Sequence, residues 1–209
     1  KELTKNEQDN LISLAERRAE GEPLQYILGQ WEFYGFPFKV GKGVLIPRDD
    51  TEVALRAAFP LLNKTDSPKI LDLCAGSGTL SVTLKKLYPK AEVTAVELSE
   101  EAFYYLKENA KLNNAQINLI NDDIFNVYKT FEDNYFDLII SNPPYLTTEE
   151  LGSMQKELYF EPMLALDGGK DGCDFYRRII PLYSPKLKYG GQLIFELDGD
   201  EAEYSKAIM

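Results

Sequence analysis

The chain has no histidine, two cysteines and one tryptophan among 209 residues, and its cations are outnumbered by its anions. Each shortage excludes a chemistry. Without imidazole there is no triad that uses histidine as its base. Cys74 and Cys173 lie far apart in the sequence, so a Cys/His zinc site is implausible, no metal is expected, and a structural disulfide has little support. No stretch approaches the roughly 18 consecutive apolar residues of a membrane-crossing helix, and the N-terminus lacks a basic-then-apolar leader pattern. No membrane partner is expected, and a cytoplasmic location follows as the default. With 23 Lys/Arg against 34 Asp/Glu the net charge is -11, which opposes the phosphate backbone of nucleic acid. Direct nucleic-acid binding is disfavoured, and a protein or small-molecule substrate is favoured.

What is present suits one folded α/β domain with an appendage: 44% hydrophobic and 27% charged residues, the balance of an ordinary globular protein. Thr4 and Glu7 fit a capping box, followed by Leu11, Leu14 and Ala15 at helical spacing until Gly21 and Pro23 close the helix. So short a helix is expected to be the tail of a larger helical unit. Residues 31–40 alternate aromatic and other side chains around a turn and predict a β-hairpin. Asp49 or Asp50 is expected to cap a helix reaching about Leu62. Beyond a polar loop the period changes to the βαβ rhythm of a parallel sheet, with strands expected over 69–73, 92–97, 117–121, 136–141 and 191–196. Helices are expected over 79–87, 99–113 and 175–187. The chain opens at Lys1 and ends soon after the fifth strand, which suggests a fragment or processed chain lacking further strands.

The first strand runs into Cys74-Ala75-Gly76-Ser77-Gly78, where glycines let the chain turn sharply and let a ligand approach backbone. Glu97 ends the next strand, placed to accept hydrogen bonds from both hydroxyls of a ribose. A dinucleotide fingerprint wants a third glycine where this chain has Ser81. Asp72, just before the loop, repels phosphate but can help hold a cationic amine, so the methionine amine of S-adenosylmethionine fits better than pyrophosphate. After the third strand, Asp123 offers a carboxylate to an adenine amino group, and Ile124 offers an apolar side chain to its face.

Asn142-Pro143-Pro144-Tyr145 follows the fourth strand, at the edge where open α/β sheets place ligands. Two prolines stiffen the turn. The Asn142 side-chain oxygen and the Pro143 carbonyl are two acceptors for a planar –NH2 group, and Tyr145 can cover the substrate's stem. An amide nitrogen is a poor nucleophile: the roughly 18–20 kcal/mol rotation barrier of a peptide C–N bond sets the scale of the conjugation that attack partly surrenders. Two acceptors stabilise the charge developing on nitrogen. No base is required before attack, because methylation itself acidifies the nitrogen. The residues therefore predict direct methyl transfer to a planar nitrogen.

Together these motifs resemble the class I methyltransferases, and more narrowly the protein-(glutamine-N5) methyltransferases, often called HemK or PrmC, that modify the GGQ glutamine of class I peptide chain release factors. The resemblance covers residues 21–29, Glu32-Phe33-Tyr34-Gly35, residues 44–48 with Asp50-Thr51-Glu52, the loop 72–78, residues 141–145, Glu161-Pro162 with Ala165-Leu166, and residues 169–172. It implies a Rossmann-like sheet with helices on both faces, preceded by a β-hairpin and the remnant of an N-terminal helical domain. It also implies S-adenosyl-L-methionine bound by Cys74 to Gly78, Glu97, Ile124 and Asn142, a glutamine amide received by Asn142 to Tyr145, and a release factor as partner. The expected division is 1–29 as the end of a substrate-recognition domain, 30–43 as a linker and 44–209 as the catalytic domain. Cys74 stands where the family usually has glycine, Asp49 where it often has proline, and Asp198 where glycine is common. The alternatives are a glutamine methyltransferase of a ribosomal protein and a nucleic-acid adenine N6-methyltransferase.

Overall fold

The computed structural model describes residues 3–197; Asp198 lies outside them. Helix α1 (Lys5–Ala19) opens with the expected capping box: Glu7 N–H donates to Thr4 Oγ1, and the Glu7 carboxylate receives the Thr4 N–H. It is followed by a short helix that the pattern did not suggest, α2 (Leu24–Leu28), ended by left-handed Gly29. The hairpin is β1 (Gln30–Phe33) and β2 (Phe36–Lys39), turned at Tyr34-Gly35 with positive φ at both residues, the handedness that matches strand twist. Pro37 lies within β2 rather than in the turn.

Helix α3 (Thr51–Leu62) follows, but neither Asp49 nor Asp50 caps it with its side chain. The N–H groups of Thr51, Glu52 and Val53 are taken by the carbonyls of Arg48, Asp49 and Asp50 instead. The remaining elements are β3 (Lys69–Leu73), α4 (Thr79–Leu87), β4 (Glu92–Glu97), α5 (Glu100–Leu112, capped by Ser99), β5 (Asn118–Asn121), α6 (Ile124–Val127), β6 (Phe136–Ser141), α7 (Thr148–Leu151), α8 (Asp174–Tyr183) and β7 (Leu187–Phe195). Two expected boundaries move by several residues. Helix α8 stops at Tyr183 because Pro185 has no N–H to continue it, and the chain passes into a short 3-10 turn at Ser184–Lys186. Strand β7 starts four residues early, since Gly190 (φ +80°) and Gly191 lie in a bulge within the strand, where the register against β6 shifts.

Among the described residues the main sheet has five parallel strands in the order β5-β4-β3-β6-β7. Side chains alternate between its faces. Ile70, Val93, Leu138 and Ile140 pack with α3, α4 and the hairpin aromatics; Leu71, Leu73 and Ile139 pack with α6 and α8. The hairpin is tied to α5 by Asn113 Nδ2, which donates to the Pro37 carbonyl at 2.9 Å, by the Lys39–Glu108 ion pair, and above all by Asn109. Asn109 on α5, fully buried, accepts from Lys39 N–H at 2.6 Å and donates Nδ2 to the carbonyls of Lys39 and Ser77 at 3.0 and 2.9 Å. Replacing Asn109 with Ala strands several buried backbone groups, and we expect a loss of about 2 kcal/mol or more in urea denaturation; a wild-type midpoint would contradict this role.

Candidate active site

Strand order reverses direction between β3 and β6, so their C-terminal ends flank the crevice where such sheets bind ligands. Ser141 Oγ donates to the Leu73 carbonyl at 2.6 Å, tying the two ends together. At the end of β3, Cys74, Gly76 and Gly78 have φ of +57°, +56° and +86°. Gly78 has a second constraint: a Cβ there would lie 2.5 Å from Leu106 Cδ1 on α5. Cys74 holds the left-handed conformation at a cost of roughly 1–2 kcal/mol, in the position the resemblance gives to glycine.

Glu97 organises this loop. Its Oε2 accepts the Gly76 N–H and its Oε1 the Ser99 N–H, each at 2.8 Å. A carboxylate has about four lone-pair sites, so acceptor capacity remains. Asp72 shares a face of β3 with Ile70 and points at α4, where its Oδ2 accepts the Ser81 N–H at 3.0 Å. Burial pushes Asp72 up to about 7, partly offset by the Ser81 hydrogen bonds and helped by the Glu97 charge. Burial likewise raises Glu97, and burial and the Glu97 charge raise the Cys74 thiol, leaving that thiol neutral and a poor nucleophile.

Three cavities meet at Asn142. The largest accessible to a ligand at the strand ends, about 250 Å³, is lined by Cys74, Gly76, Glu97, Asp123, Ile124 and Pro144 among others. A recess of about 40 Å³ is bordered by Asp72, Ala75, Ser77 and Arg48, and a pocket of about 190 Å³ by Arg48, Tyr145 and Leu166. Asn142 lines all three. Its Nδ2 donates to Thr51 Oγ1 at 3.3 Å, while its Oδ1 is buried without a hydrogen-bond partner among the described residues. A buried carbonyl oxygen left open is costly and marks where a donor belongs.

Most of the expected residues therefore converge. Gly78 and Pro143 are not among those lining the three cavities, and the Ser77 hydroxyl is turned inward to Thr79 Oγ1 at 2.9 Å. Asp123 spends one oxygen capping α6 through the Phe125 N–H. Two lining residues on α8 went unread. They are Phe175 and Arg178, with the Arg178 guanidinium 3.3 Å from the Phe125 ring centroid; their i, i+3 spacing puts them on one helix face, the only local signal available. Glu161, buried, accepts the Ile46 N–H at 2.9 Å and pairs with Arg48, closing the segment 46–48 over the site.

The parallel sheet and its loop-built crevice have the Rossmann-like methyltransferase fold. A methyltransferase from Pyrococcus furiosus superposes with a TM-score of 0.58 at 20% identity over 98% of this chain and 86% of its own. The hMettl16 catalytic domain, solved with the MAT2A 3'UTR hairpin 6, superposes at 0.67 and 14% identity over 94% and 82%. These likenesses show the fold alone. The family model "Methyltransferase small domain" matches residues 49–160, and "PrmC N-terminal domain" matches residues 1–29. The release factor glutamine methyltransferase of Geobacter sulfurreducens is 44% identical over 91% of this chain and 66% of its own length; that of Thermodesulfovibrio yellowstonii is 38% identical over 97% and 73%. The chain belongs to the release factor glutamine methyltransferase family, and spans about two thirds of the length of these two relatives.

The buried Asp72 yields a test of its own. A carboxyl raised from 3.8 to about 7 in the folded state stabilises the fold fully only below the unfolded value, and that contribution is lost as pH rises through about 7. Asp72→Asn, which keeps an acceptor for the Ser81 N–H, should therefore gain on the wild type by about 2 kcal/mol between pH 5 and pH 8. An equal stability difference at both pH values in urea denaturation would refute it.

Proposed function

We propose that this chain transfers a methyl group from S-adenosyl-L-methionine to the side-chain nitrogen of the GGQ glutamine in class I peptide chain release factors, acting in the cytoplasm. The observation that carries the reading is the buried, open Oδ1 of Asn142 at the meeting point of three cavities. Family membership supplies the substrate.

The residues present suit the cofactor. Glu97 retains lone pairs for ribose hydroxyls, Ile124 offers an apolar wall with Asp123 beside it for adenine, and Asp72 borders the adjoining recess as a carboxylate for the methionine amine. At Gly76 the space a side chain would enter holds no protein atom within 4 Å. When bound, S-adenosyl-L-methionine supplies an electrophilic methyl on a sulfonium. Asn142 Oδ1 and the Pro143 carbonyl accept from the two N–H donors of the glutamine amide, which orients its nitrogen and stabilises the positive charge it gains. Pro144 and Tyr145 wall the substrate stem. No imidazole exists in the chain and burial keeps the Cys74 thiol neutral, so neither acts as base before attack; methylation acidifies the nitrogen, and the surplus proton leaves to water after transfer. In this reading residues 1–29 are part of a substrate-recognition domain, 30–43 a linker and 44–209 the catalytic domain.

A nucleic-acid substrate is disfavoured. Among the described residues, the charged ones lining the three cavities are Arg48, Arg178, Asp72, Glu97 and Asp123, and Arg48 is already paired with Glu161. Among the described residues these make no basic cleft for phosphates.

Incubation with methyl-labelled S-adenosyl-L-methionine and a release factor should label the intact factor and not one whose GGQ glutamine is alanine. Label on neither, with label on a ribosomal protein or a nucleic acid, would overturn the substrate. Asn142→Ala should lower turnover about 100-fold or more while cofactor binding stays measurable, and near-normal turnover would remove Asn142 from the mechanism. Glu97→Ala should weaken cofactor binding in calorimetry; an unchanged dissociation constant would refute the ribose assignment.

A further inference from the structure

Glu196 follows β7 and lies directly behind Asn142. Its N–H donates to the Ser141 carbonyl at 3.0 Å, and its carbonyl accepts the Tyr176 hydroxyl at 2.9 Å, so its backbone is held from both sides. The side chain is buried, yet no Lys or Arg among the described residues pairs with it. A buried carboxyl without a cation is expensive, and its surroundings show what it faces. Tyr145 Oη donates to Oε1 at 3.5 Å. The Thr51 hydroxyl and the Asn142 amide also face the carboxyl and favour its charged form, while Asp50 opposes it. Oε2 is buried without a hydrogen-bond partner among the described residues.

Hydrogen-bond arithmetic gives this cluster a direction. A threonine hydroxyl has one proton to give and lone pairs to receive. If that proton points to Glu196, the Thr51 oxygen is left as an acceptor and can take only the Nδ2 end of Asn142, the contact seen at 3.3 Å. Asn142 Oδ1 is then turned away from Thr51, as an acceptor without a partner. With the amide reversed, Oδ1 would face the Thr51 oxygen and the charge behind it, and Nδ2 would oppose a substrate –NH2, donor against donor. We infer that Glu196 is a positioning residue: through Thr51, its carboxylate selects which end of the Asn142 amide is offered to the substrate. The inference rests on the reading of Asn142 as the acceptor for the substrate amide, and deepens it.

Nothing in the local sequence connects Thr51, Asn142 and Glu196. Pairing of β6 with β7 brings the last two together, and the start of α3 supplies the first. Burial and Asp50 raise the Glu196 carboxyl from its ordinary range, against the hydrogen bonds of Thr51, Asn142 and Tyr145. Protonation as pH falls through that raised value removes the charge that draws the Thr51 proton and adds an O–H donor that competes with it.

The test compares the wild type with Glu196→Gln, Thr51→Val and the double variant, each checked for a native melting temperature. The first readout needs no substrate. The Asn142 side-chain N–H resonances in 15N-labelled protein should titrate with Glu196 in the wild type, lose that titration in Glu196→Gln, and in Thr51→Val keep only the smaller part carried by the direct Asn142–Glu196 contact; a pH-independent resonance in the wild type, or an unchanged titration in either variant, overturns the inference. The second readout is turnover on the release factor. Each single variant should lower kcat about 10-fold or more, the scale of partners one step behind a functional ligand, with KM and cofactor affinity within about twofold. The double variant should be no worse than either single one, because both act on one hydrogen-bond chain, whereas multiplied losses would overturn it. A wild type that labels no release factor would defeat the substrate assignment, and the resonance titration would still decide the role of Glu196.

Discussion

The hydrogen bond from Ser141 Oγ to the Leu73 carbonyl joins the two strand ends on which the rest of the site is built. Strand β3 delivers the loop at Cys74 and β6 delivers Asn142, and each loop would be a plain turn without the other beside it. The parallel sheet makes this possible by bringing carboxyl ends of strands together at one edge, where the strand order reverses. Backbone N–H groups that leave the ladder there must find partners. Glu97 takes those of Gly76 and Ser99, and Asp72 takes that of Ser81.

The site is an assembly of acceptors in a chain without histidine. The carboxyls of Asp72, Glu97 and Glu196 are buried, and burial is the main reason each is raised; a cation beside them favours their charged form, whereas a further anion is disfavoured. A methyl sulfonium with a free amine carries positive charge; pyrophosphate does not. In the proposed reaction, transfer to an amide nitrogen moves that positive charge onto nitrogen, so one field serves both the binding of the donor and the transfer. In that reading positioning and electrostatics replace acid–base chemistry, and the rigid Pro143-Pro144 turn suits a site in which orientation decides the rate.

Much of the fold was legible because it follows from period. Strands β3, β4 and β6 and helix α4 have the limits that their apolar runs and flanking turn residues indicate. The errors lie where backbone geometry departs from pattern: the bulge at Gly190-Gly191 hides the start of β7, Pro185 converts the end of α8 to a tighter turn, and backbone carbonyls replace the aspartates at the start of α3. Among site residues, those on strand ends and their loops could be read from position alone. The roles of Phe175, Arg178, Thr51, Glu161 and Glu196 could not: the first three line the cavities from helices, the last two act on lining residues from behind, and none sits in a local pattern that signals a ligand, although Thr51 and Glu161 fall in segments that carry the family resemblance.

By itself the sequence determined the sheet, the strand-end loops and the chemistry excluded by a missing imidazole, since periodicity, turn residues and side-chain inventory are local properties. Tertiary structure decided the rest. Only the pairing of β6 with both β3 and β7 brings Asn142 beside Thr51 and Glu196. Only burial turns ordinary carboxyls into raised ones. Which end of the Asn142 amide is open depends on hydrogen bonds from residues distant in sequence, and a hydrogen bond is fixed by distance in space.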